Sequence, residues 1–221
     1  MSKKTKGEPG EQTLYKLTTQ DNYTRKGEYN QTRWGDNVTH KADGRGGQLC
    51  GPGYIHAYLS PALAVFMNEI HAGIYPAKLW EAKGVITLSD MDLKVGCYSL
   101  TTVKEMELPK LSMNQHIAFG ILVTQQISND NGWRRWAEKW LEDADRSQDT
   151  ARIVKDKVSH HRVAEYYTSA AASADGYITI RHMSAAAAAI STAKANNSVF
   201  FQIENKKIDL VSLAEEALKY E

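Results

Sequence analysis

The pattern of apolar and polar positions changes character near Pro109, and it divides the chain into two halves. Short apolar runs separated by Gly, Thr and Asn fill residues 13–110 and predict strands, whereas Ala-rich stretches in residues 111–221 predict helices. Residues 1–12 are polar and predict a disordered arm. The pattern therefore indicates an α+β protein: a small mixed or antiparallel sheet domain, followed by a mainly helical domain packed on it.

The first half contains four apolar runs of strand length, namely residues 13–18, 54–59, 78–88 and 97–108. Between the first two runs, the tract 41–48 (KADGRGGQ) predicts a loop, because Gly and Asp favour turns. Alternation in the last run predicts one shared face, interrupted by Lys104, for Tyr98, Leu100, Thr102, Met106 and Leu108.

A helix is predicted directly after the second strand. Ser60 can cap it and Pro61 suits its first position, where no backbone N–H is needed. Gly73 suits the left-handed residue that commonly ends a helix. Between these signals, one apolar stripe at helical spacing consists of Leu63, Phe66, Met67 and Ile70.

In the second half the periodicity predicts helices over residues 113–128, 131–145, 148–174 and 209–220. The second of these places on one face the three residues Trp133, Trp136 and Trp140. The last has an apolar stripe of Leu210, Leu213, Ala214, Ala217 and Leu218. The region between them is less regular, with predictions of a turn at 175–176, a short strand at 177–180, helix at 185–189 and a hairpin at 199–208.

Composition narrows the class of protein. The chain is 42% hydrophobic, which is enough for a core, and its 27 basic and 26 acidic residues disfavour a polyanion as partner. There is no run of 18 apolar residues and no apolar signal segment at the N-terminus, so we expect no membrane association. Cys50 and Cys97 are expected to be reduced thiols, as in a cytoplasm.

The strand at 54–59 carries the best candidate for a binding site. Because side chains alternate along a strand, Tyr54, His56 and Tyr58 should project together, opposite the aliphatic residues between them. Two phenols and an imidazole can stack on a flat ligand and hydrogen-bond it, as in a protein that sequesters a nucleotide-like molecule. The alternative is a structural histidine between the sheet and the helical half.

The sequence gives less support to a metal site, a cofactor site or a nucleic-acid surface. Cys50, His56, His71 and Cys97 are suitable metal ligands, but their spacing matches no standard zinc motif, so no metal is expected. Nucleophile-elbow, P-loop and dinucleotide-binding glycine motifs are absent, and no cofactor is expected. The WRRWAEKW segment places its tryptophans together and its arginines largely elsewhere, which indicates a core stripe rather than a nucleic-acid surface.

One enzyme alternative is specific enough to state. The order of Arg25, Ser60, Glu105 and Glu107 resembles that of the arginine-serine-glutamate ADP-ribosyltransferases. This resemblance implies NAD as the substrate. A carboxylate in this position stabilises the oxocarbenium-like charge that develops as nicotinamide leaves. This chain lacks the Ser-Thr-Ser setting of that family, and Ser60 already has a capping role.

Two parts of the chain resemble uncharacterised proteins of tailed bacteriophages and prophages. In the first half the resemblance lies in residues 14–16 (LYK), 49–65 (LCGPGYIHAYLSPALAV), 80–86 (WEAKGVI) and 92–108 (DLKVGCYSLTTVKEMEL). In the second it lies in residues 133–151 (WRRWAEKWLEDADRSQDTA), ahead of Ala-rich helix. The glycine loop 41–48 and the tail 177–221 depart from the usual pattern of these proteins.

The resemblance implies a soluble, phage-encoded accessory protein in the cytoplasm of the infected bacterium. Such a protein is expected to bind a host or phage macromolecule, most often a protein, in host takeover or anti-defence. Nucleic acid is disfavoured as that partner by the charge balance. Self-association through the aromatic and alanine faces of the helical half is left open by the sequence.

Overall fold

The fold is α+β, as the sequence predicts, with antiparallel sheets and separate helices. The computed structural model describes residues 10–44, 46–90, 92–126, 130–158 and 208–221. The chain forms two compact units. A sheet unit contains residues 1–64 and 74–108, and a helical unit contains residues 65–73 and 109–221.

Antiparallel pairing builds the whole sheet unit. Its strands are β1 (Gln12–Thr19), β2 (Tyr23–Thr24), β3 (Thr32–Arg33), β4 (Val38–Lys41), β5 (Ile55–Ala57), β6 (Ala77–Ser89) and β7 (Val95–Met106). The main sheet has the order β1-β6-β7-β4, with β5 also paired to β7, and β2 pairs with β3 separately. The predictions of β1, β6 and β7 are confirmed. The three strands β2, β3 and β4 are too short to show a period in the sequence.

A β-bulge divides β7 into two parts that follow different alternations. Gly84 pairs with Leu100 and Ile86 with Cys97, so three steps along β7 oppose two along β6. The extra residue turns Tyr98 outward, where it is 44% exposed, and leaves Cys97 and Leu100 both fully buried. The predicted face of β7 is therefore wrong at Tyr98 and holds at Leu100 and Thr102.

The core of the sheet unit lies on the face where Leu100 points. One buried cluster contains Leu14, Trp34, Ala57, Ala82, Val95, Cys97 and Leu100. Ile55 and Leu59 pack against it from either side of Ala57, so the aliphatic side of β5 contacts the core. Both cysteines are free thiols, Cys97 buried and Cys50 exposed.

The segment after β5 forms two short helices rather than the single predicted one. They are α1 (Pro61–Phe66) and α2 (Asn68–His71), separated by Met67 at ψ −3°. Ser60 Oγ accepts a hydrogen bond from the Leu63 N–H at 3.1 Å, which confirms the predicted cap. Gly73 closes α2 in the predicted left-handed conformation, at φ +59°.

The helical unit contains α3 (Met113–Gln125), α4 (Asn131–Leu141), α5 (Gln148–Val158) and α6 (Leu210–Ala217). Side chains at N-cap positions start three of these helices and are Ser112, Asp130 and Asp209. The tryptophan stripe of α4 is buried, as predicted. In α6 the stripe is buried at Leu210, Ala214 and Ala217 and half-buried at its other two positions.

Several predictions fall outside the described residues. They are the first part of the arm, the end of the third predicted helix after residue 158, the turn at 175–176, the strand at 177–180, the helix at 185–189 and the body of the hairpin at 199–208. Among the helices that are described, none has the length and apolar character needed to cross a bilayer.

Candidate functional site

A cavity of about 340 Å³ opens in the sheet unit, a volume typical of sites for small ligands. Its walls come from β1, the β2–β3 hairpin, β4, the loop after β4 and the start of β5. None of these segments contributes more than a few residues. The cavity therefore depends on long-range pairing and has no contiguous sequence motif.

Positive charge predominates in the cavity wall. Among the described residues that line it, Lys16, Arg25 and Lys41 are cations and Asp43 is the one carboxylate. Three formal cations against one anion leave a net charge of +2. Two imidazoles, of His40 and His56, add hydrogen-bonding groups. Such a concave and partly enclosed surface of one sign attracts anions.

Contacts on two sides hold Lys16 in the cavity wall. Its Nζ donates a hydrogen bond to the backbone carbonyl of His56 at 2.7 Å and lies 5.3 Å from the centre of the Trp34 ring. Burial, with a smaller contribution from the positive charge of Arg25, lowers the pKa of Lys16 from 10.5 to about 8. Near neutral pH, the fraction of Lys16 in the neutral amine form is therefore larger than that of an ordinary lysine.

Trp34 connects the cavity to the core. Its ring is 3% exposed and belongs to the buried cluster, yet the residue also lines the cavity. The indole Nε1–H donates to Thr24 Oγ1 at 3.0 Å, and the His40 ring meets the indole edge-on at 4.7 Å. These contacts place the short β2 and β4 strands around one aromatic ring.

His56 is neutral in the folded protein. Burial, with smaller contributions from the cations Lys16, Lys94 and Arg25, lowers its pKa from 6.5 to about 4 against an opposing hydrogen bond to Leu49. The bond joins His56 Nε2 to the Leu49 carbonyl oxygen. Because a carbonyl only accepts, Nε2 carries the proton and Nδ1 keeps its lone pair.

Acid should destabilise the sheet unit through His56. Between pH 6.5 and pH 4 the unfolded chain binds a proton that the folded chain does not, so the free energy of unfolding falls as the pH decreases. We expect a loss of about 2 kcal/mol, after allowing for the solvent that reaches part of the ring. Urea denaturation at pH 7 and pH 4 measures it.

His56→Gln is the matched variant for this measurement, because glutamine keeps a donor for the Leu49 carbonyl and does not titrate. Its loss of stability between the two pH values should be smaller than that of the unchanged protein. Equal losses in both proteins would show that other groups cause the acid sensitivity.

Only part of the predicted tyrosine–histidine face lines the cavity. Tyr54 and His56 line it, whereas Tyr58 is 5% exposed and pairs through its backbone with Tyr15. Burial raises the pKa of Tyr58, so its phenol stays protonated. Tyr54 stacks on Tyr98 at 5.2 Å, and their hydrogen bond raises the pKa of Tyr54.

The predicted glycine loop forms one side of the cavity. Gly53 packs against Gly46 so closely that a Cβ on Gly53 would lie 2.5 Å from the Gly46 carbonyl oxygen. This close approach folds the loop back on itself and brings Asp43, Gly51 and Pro52 to the cavity wall. Glycine at these two positions therefore shapes the cavity wall as well as the turn.

The residues of the transferase alternative do not come together. Arg25 lines the cavity, while Ser60 caps α1 and is 5% exposed. Glu105 pairs with Trp80 on β6 and is not among the described residues that line the cavity. Glu105 forms a surface ion pair with Lys78, and Glu107 follows the end of β7 and is exposed.

The candidate metal ligands are also separated by their surroundings. Cys97 is buried, and burial raises the pKa of its thiol to about 11. Cys50 Sγ accepts a hydrogen bond from Lys94 Nζ at 3.1 Å, which brings a cation where a metal would need an anion. Over the part of the chain that the structure describes, no three His, Cys, Asp or Glu side chains converge as a metal site.

The sequence did not indicate Lys16, Trp34 or His40 as site residues. Lys16 lies on the strand β1 among apolar residues, and an inward charge in an apolar strand is a signal that could have been noticed. Trp34 and His40 lie in the Asn- and Gly-rich region, where the strands are too short to predict.

Comparison with models of protein families, with curated proteins and with solved structures finds no match to this chain.

Proposed function

We propose that the sheet unit binds a small anion that carries a flat ring, of the nucleotide type, in the cationic cavity. The observation that carries this proposal is the cluster of Lys16, Arg25 and Lys41 around one partly enclosed volume, with Asp43 as the one carboxylate among its described wall residues. All three cations line this common space, and Arg25 additionally forms a surface ion pair with Glu28 at 4.0 Å. An anionic group in that space would gain charge-assisted hydrogen bonds.

The aromatic residues supply the second half of the recognition. Tyr29 is 94% exposed at the cavity and Tyr54 lines it beside the stacked Tyr98 ring. A large exposed aromatic side chain next to cations suits a ligand with a π-face, because stacking on a base contributes roughly 1–3 kcal/mol. The volume of about 340 Å³ fits a mononucleotide better than a polymer.

Neutral His56 and the Lys16 amine give the cavity a defined pattern of donors and acceptors. The His56 Nε2–H and the Lys16 Nζ are both held by backbone carbonyls, so their positions are set before a ligand arrives. A site whose side chains are already fixed loses less conformational entropy on binding.

Arg25→Gln should weaken binding of nucleoside monophosphates about tenfold or more, because one charge-assisted hydrogen bond contributes about 1.5–3 kcal/mol. Isothermal titration calorimetry with the four common ribonucleoside monophosphates measures the effect. Raising the salt concentration should also weaken binding, since the cavity is partly open to screening ions.

Lys26→Gln is the matched control. Lys26 neighbours Arg25 in sequence and carries the same charge, but it is exposed, paired with Asp21 and not part of the cavity wall. Its removal should leave the dissociation constant nearly unchanged. Equal weakening by both variants would attribute the effect to general charge, and absence of heat with all four nucleotides would contradict the proposal.

The wider role remains the one that the phage resemblance implies: an accessory protein that binds a host or phage macromolecule. No distance or contact in the described residues adds to that prediction. The transferase alternative gains no support either, because Ser60, Glu105 and Glu107 lie apart from the cavity that contains Arg25. A small-ligand site is compatible with a macromolecular partner, whose binding the ligand would then modulate.

A further inference from the structure

We propose that Lys16 is a nucleophile, whose amine forms an imine with an aldehyde or ketone carbon of a ligand in the cavity. The inference rests on the proposed function, because the anion-binding groups would hold that ligand against the amine. It adds a covalent step and a chemical class of ligand, a carbonyl compound that also carries an anionic group.

The first support is the position of the amine. Lys16 lies on β1, held by the antiparallel register with β6 in which it pairs with Trp80, and it reaches the cavity from the sheet. The bond to the His56 carbonyl and the contact with the Trp34 ring fix Nζ from two sides. A fixed amine beside a bound ligand needs little reorganisation to react.

The second support is the set of neighbours. Within the described residues, no carboxylate lies within ion-pair distance of Lys16, although Lys26, Lys78 and Lys104 all have such partners. Arg25 instead places a second cation in the same cavity. Burial and a neighbouring cation are the two conditions that turn a lysine into a nucleophile.

Electrostatics agrees with this geometry. The pKa of Lys16 is lowered to about 8, chiefly by burial and then by Arg25. At pH 8 about half of the Lys16 amines are neutral, against less than about 1% for a lysine with the usual pKa near 10.4. Only the neutral amine has a lone pair for attack on carbon.

The reaction balances without an oxidant or a metal. The Nζ lone pair forms a bond to the carbonyl carbon, and the π electrons of the C=O bond move to its oxygen. A proton passes from nitrogen to that oxygen and gives a carbinolamine. Loss of the second N–H proton together with hydroxide then forms the C=N bond and releases one water. Hydrolysis reverses the step, so the linkage is reversible.

The test uses pyridoxal 5′-phosphate as a probe, since it combines a flat ring, an aldehyde and a phosphate. The protein is incubated with it, reduced with borohydride and digested, and labelled lysines are identified by mass spectrometry. We expect Lys16 to be labelled at least about tenfold faster than Lys41, because Nζ of Lys16 is held in the cavity and its lowered pKa leaves more neutral amine than an ordinary lysine has. Lys41 is the internal control: it lines the same cavity but is exposed. Similar rates at Lys16 and Lys41, or no label at Lys16, would overturn the proposal.

A second probe separates this inference from the proposed function. 5′-Deoxypyridoxal has the same ring and a free aldehyde but lacks the phosphate. Faster labelling of Lys16 by the phosphorylated probe supports both proposals. Equal labelling by the two probes supports the imine and counts against anion binding. Nucleotide binding in a protein that neither probe labels at Lys16 keeps the proposed function and refutes the imine. Lys16→Met should abolish the main labelled peptide, and the unchanged protein alone decides the matter if that variant does not fold.

Discussion

Trp34→Ala should lower the free energy of unfolding by about 3–5 kcal/mol and abolish ligand binding in the cavity. The large loss of stability is expected because the indole is 3% exposed within the buried cluster, so its removal leaves a void as well as lost apolar contact. Binding should disappear because the same ring supports Lys16 and His40. Urea denaturation and calorimetry with nucleoside monophosphates measure the two effects.

Two further variants serve as controls for Trp34→Ala. Tyr29→Ala removes an aromatic ring that lines the same cavity but is 94% exposed, so it should change the free energy of unfolding by less than about 0.5 kcal/mol. Trp34→Phe keeps a ring beside Lys16 and loses only the donor to Thr24, which should cost less than the alanine variant. A stable Trp34→Ala protein would mean that the cluster packs well without the indole.

Trp140→Ala should destabilise the helical unit by a similar amount, about 3–5 kcal/mol. The indole is 1% exposed on the buried face of α4. The Arg146 guanidinium lies 4.6 Å from the centre of the Trp140 ring, and Arg146 Nε donates a hydrogen bond to the Trp140 carbonyl at 3.0 Å. Removing the ring should therefore weaken both the core and the segment that follows α4. Circular dichroism during urea denaturation measures the loss of helix.

Glu138→Ala is the control for Trp140→Ala, because Glu138 lies on the same helix but on its exposed face. Its substitution should alter the free energy of unfolding by no more than about 0.5 kcal/mol. If both variants were equally mild, the tryptophan stripe would not be the apolar core of this unit, despite its burial in the structure.

The long periodic elements could be predicted from sequence because their signals are local. Strands β6 and β7 are 13 and 12 residues long, and α4 repeats its tryptophans at helical spacing. Capping residues such as Ser60 also act within one turn of their own position. In each case neighbouring residues determine the element, so one sequence is sufficient.

The candidate site could be predicted only in part, because tertiary pairing assembles it. The sequence indicates Arg25, Tyr54 and His56, which all line the cavity, but it connects Arg25 with the transferase alternative and the other two with a ligand-binding face. Lys16 joins them through a hydrogen bond to a residue 40 positions away. Tyr58 was placed with the site by strand alternation, yet the strand that would carry it ends at Ala57.

The break in the helix after β5 is a second feature that the local sequence pattern does not predict. The stripe from Leu63 to Ile70 has ideal helical spacing, yet Met67 leaves the helical path and the chain passes from one compact unit to the other within α1. A strong local period is therefore not sufficient to keep this segment in one continuous helix. Sequence periodicity describes what a segment can form and not which core it joins.

The bulge in β7 restricts how the length of this strand can vary. Deleting one residue between Cys97 and Leu100 would remove this irregularity of the ladder, but it would exchange inside and outside for one end of the strand. Either the buried Leu100 and Thr102 would turn to solvent, or β5 would lose its pairing with Val95–Cys97. Related chains should accordingly vary in residue type at positions 98 and 99 while keeping the number of residues there.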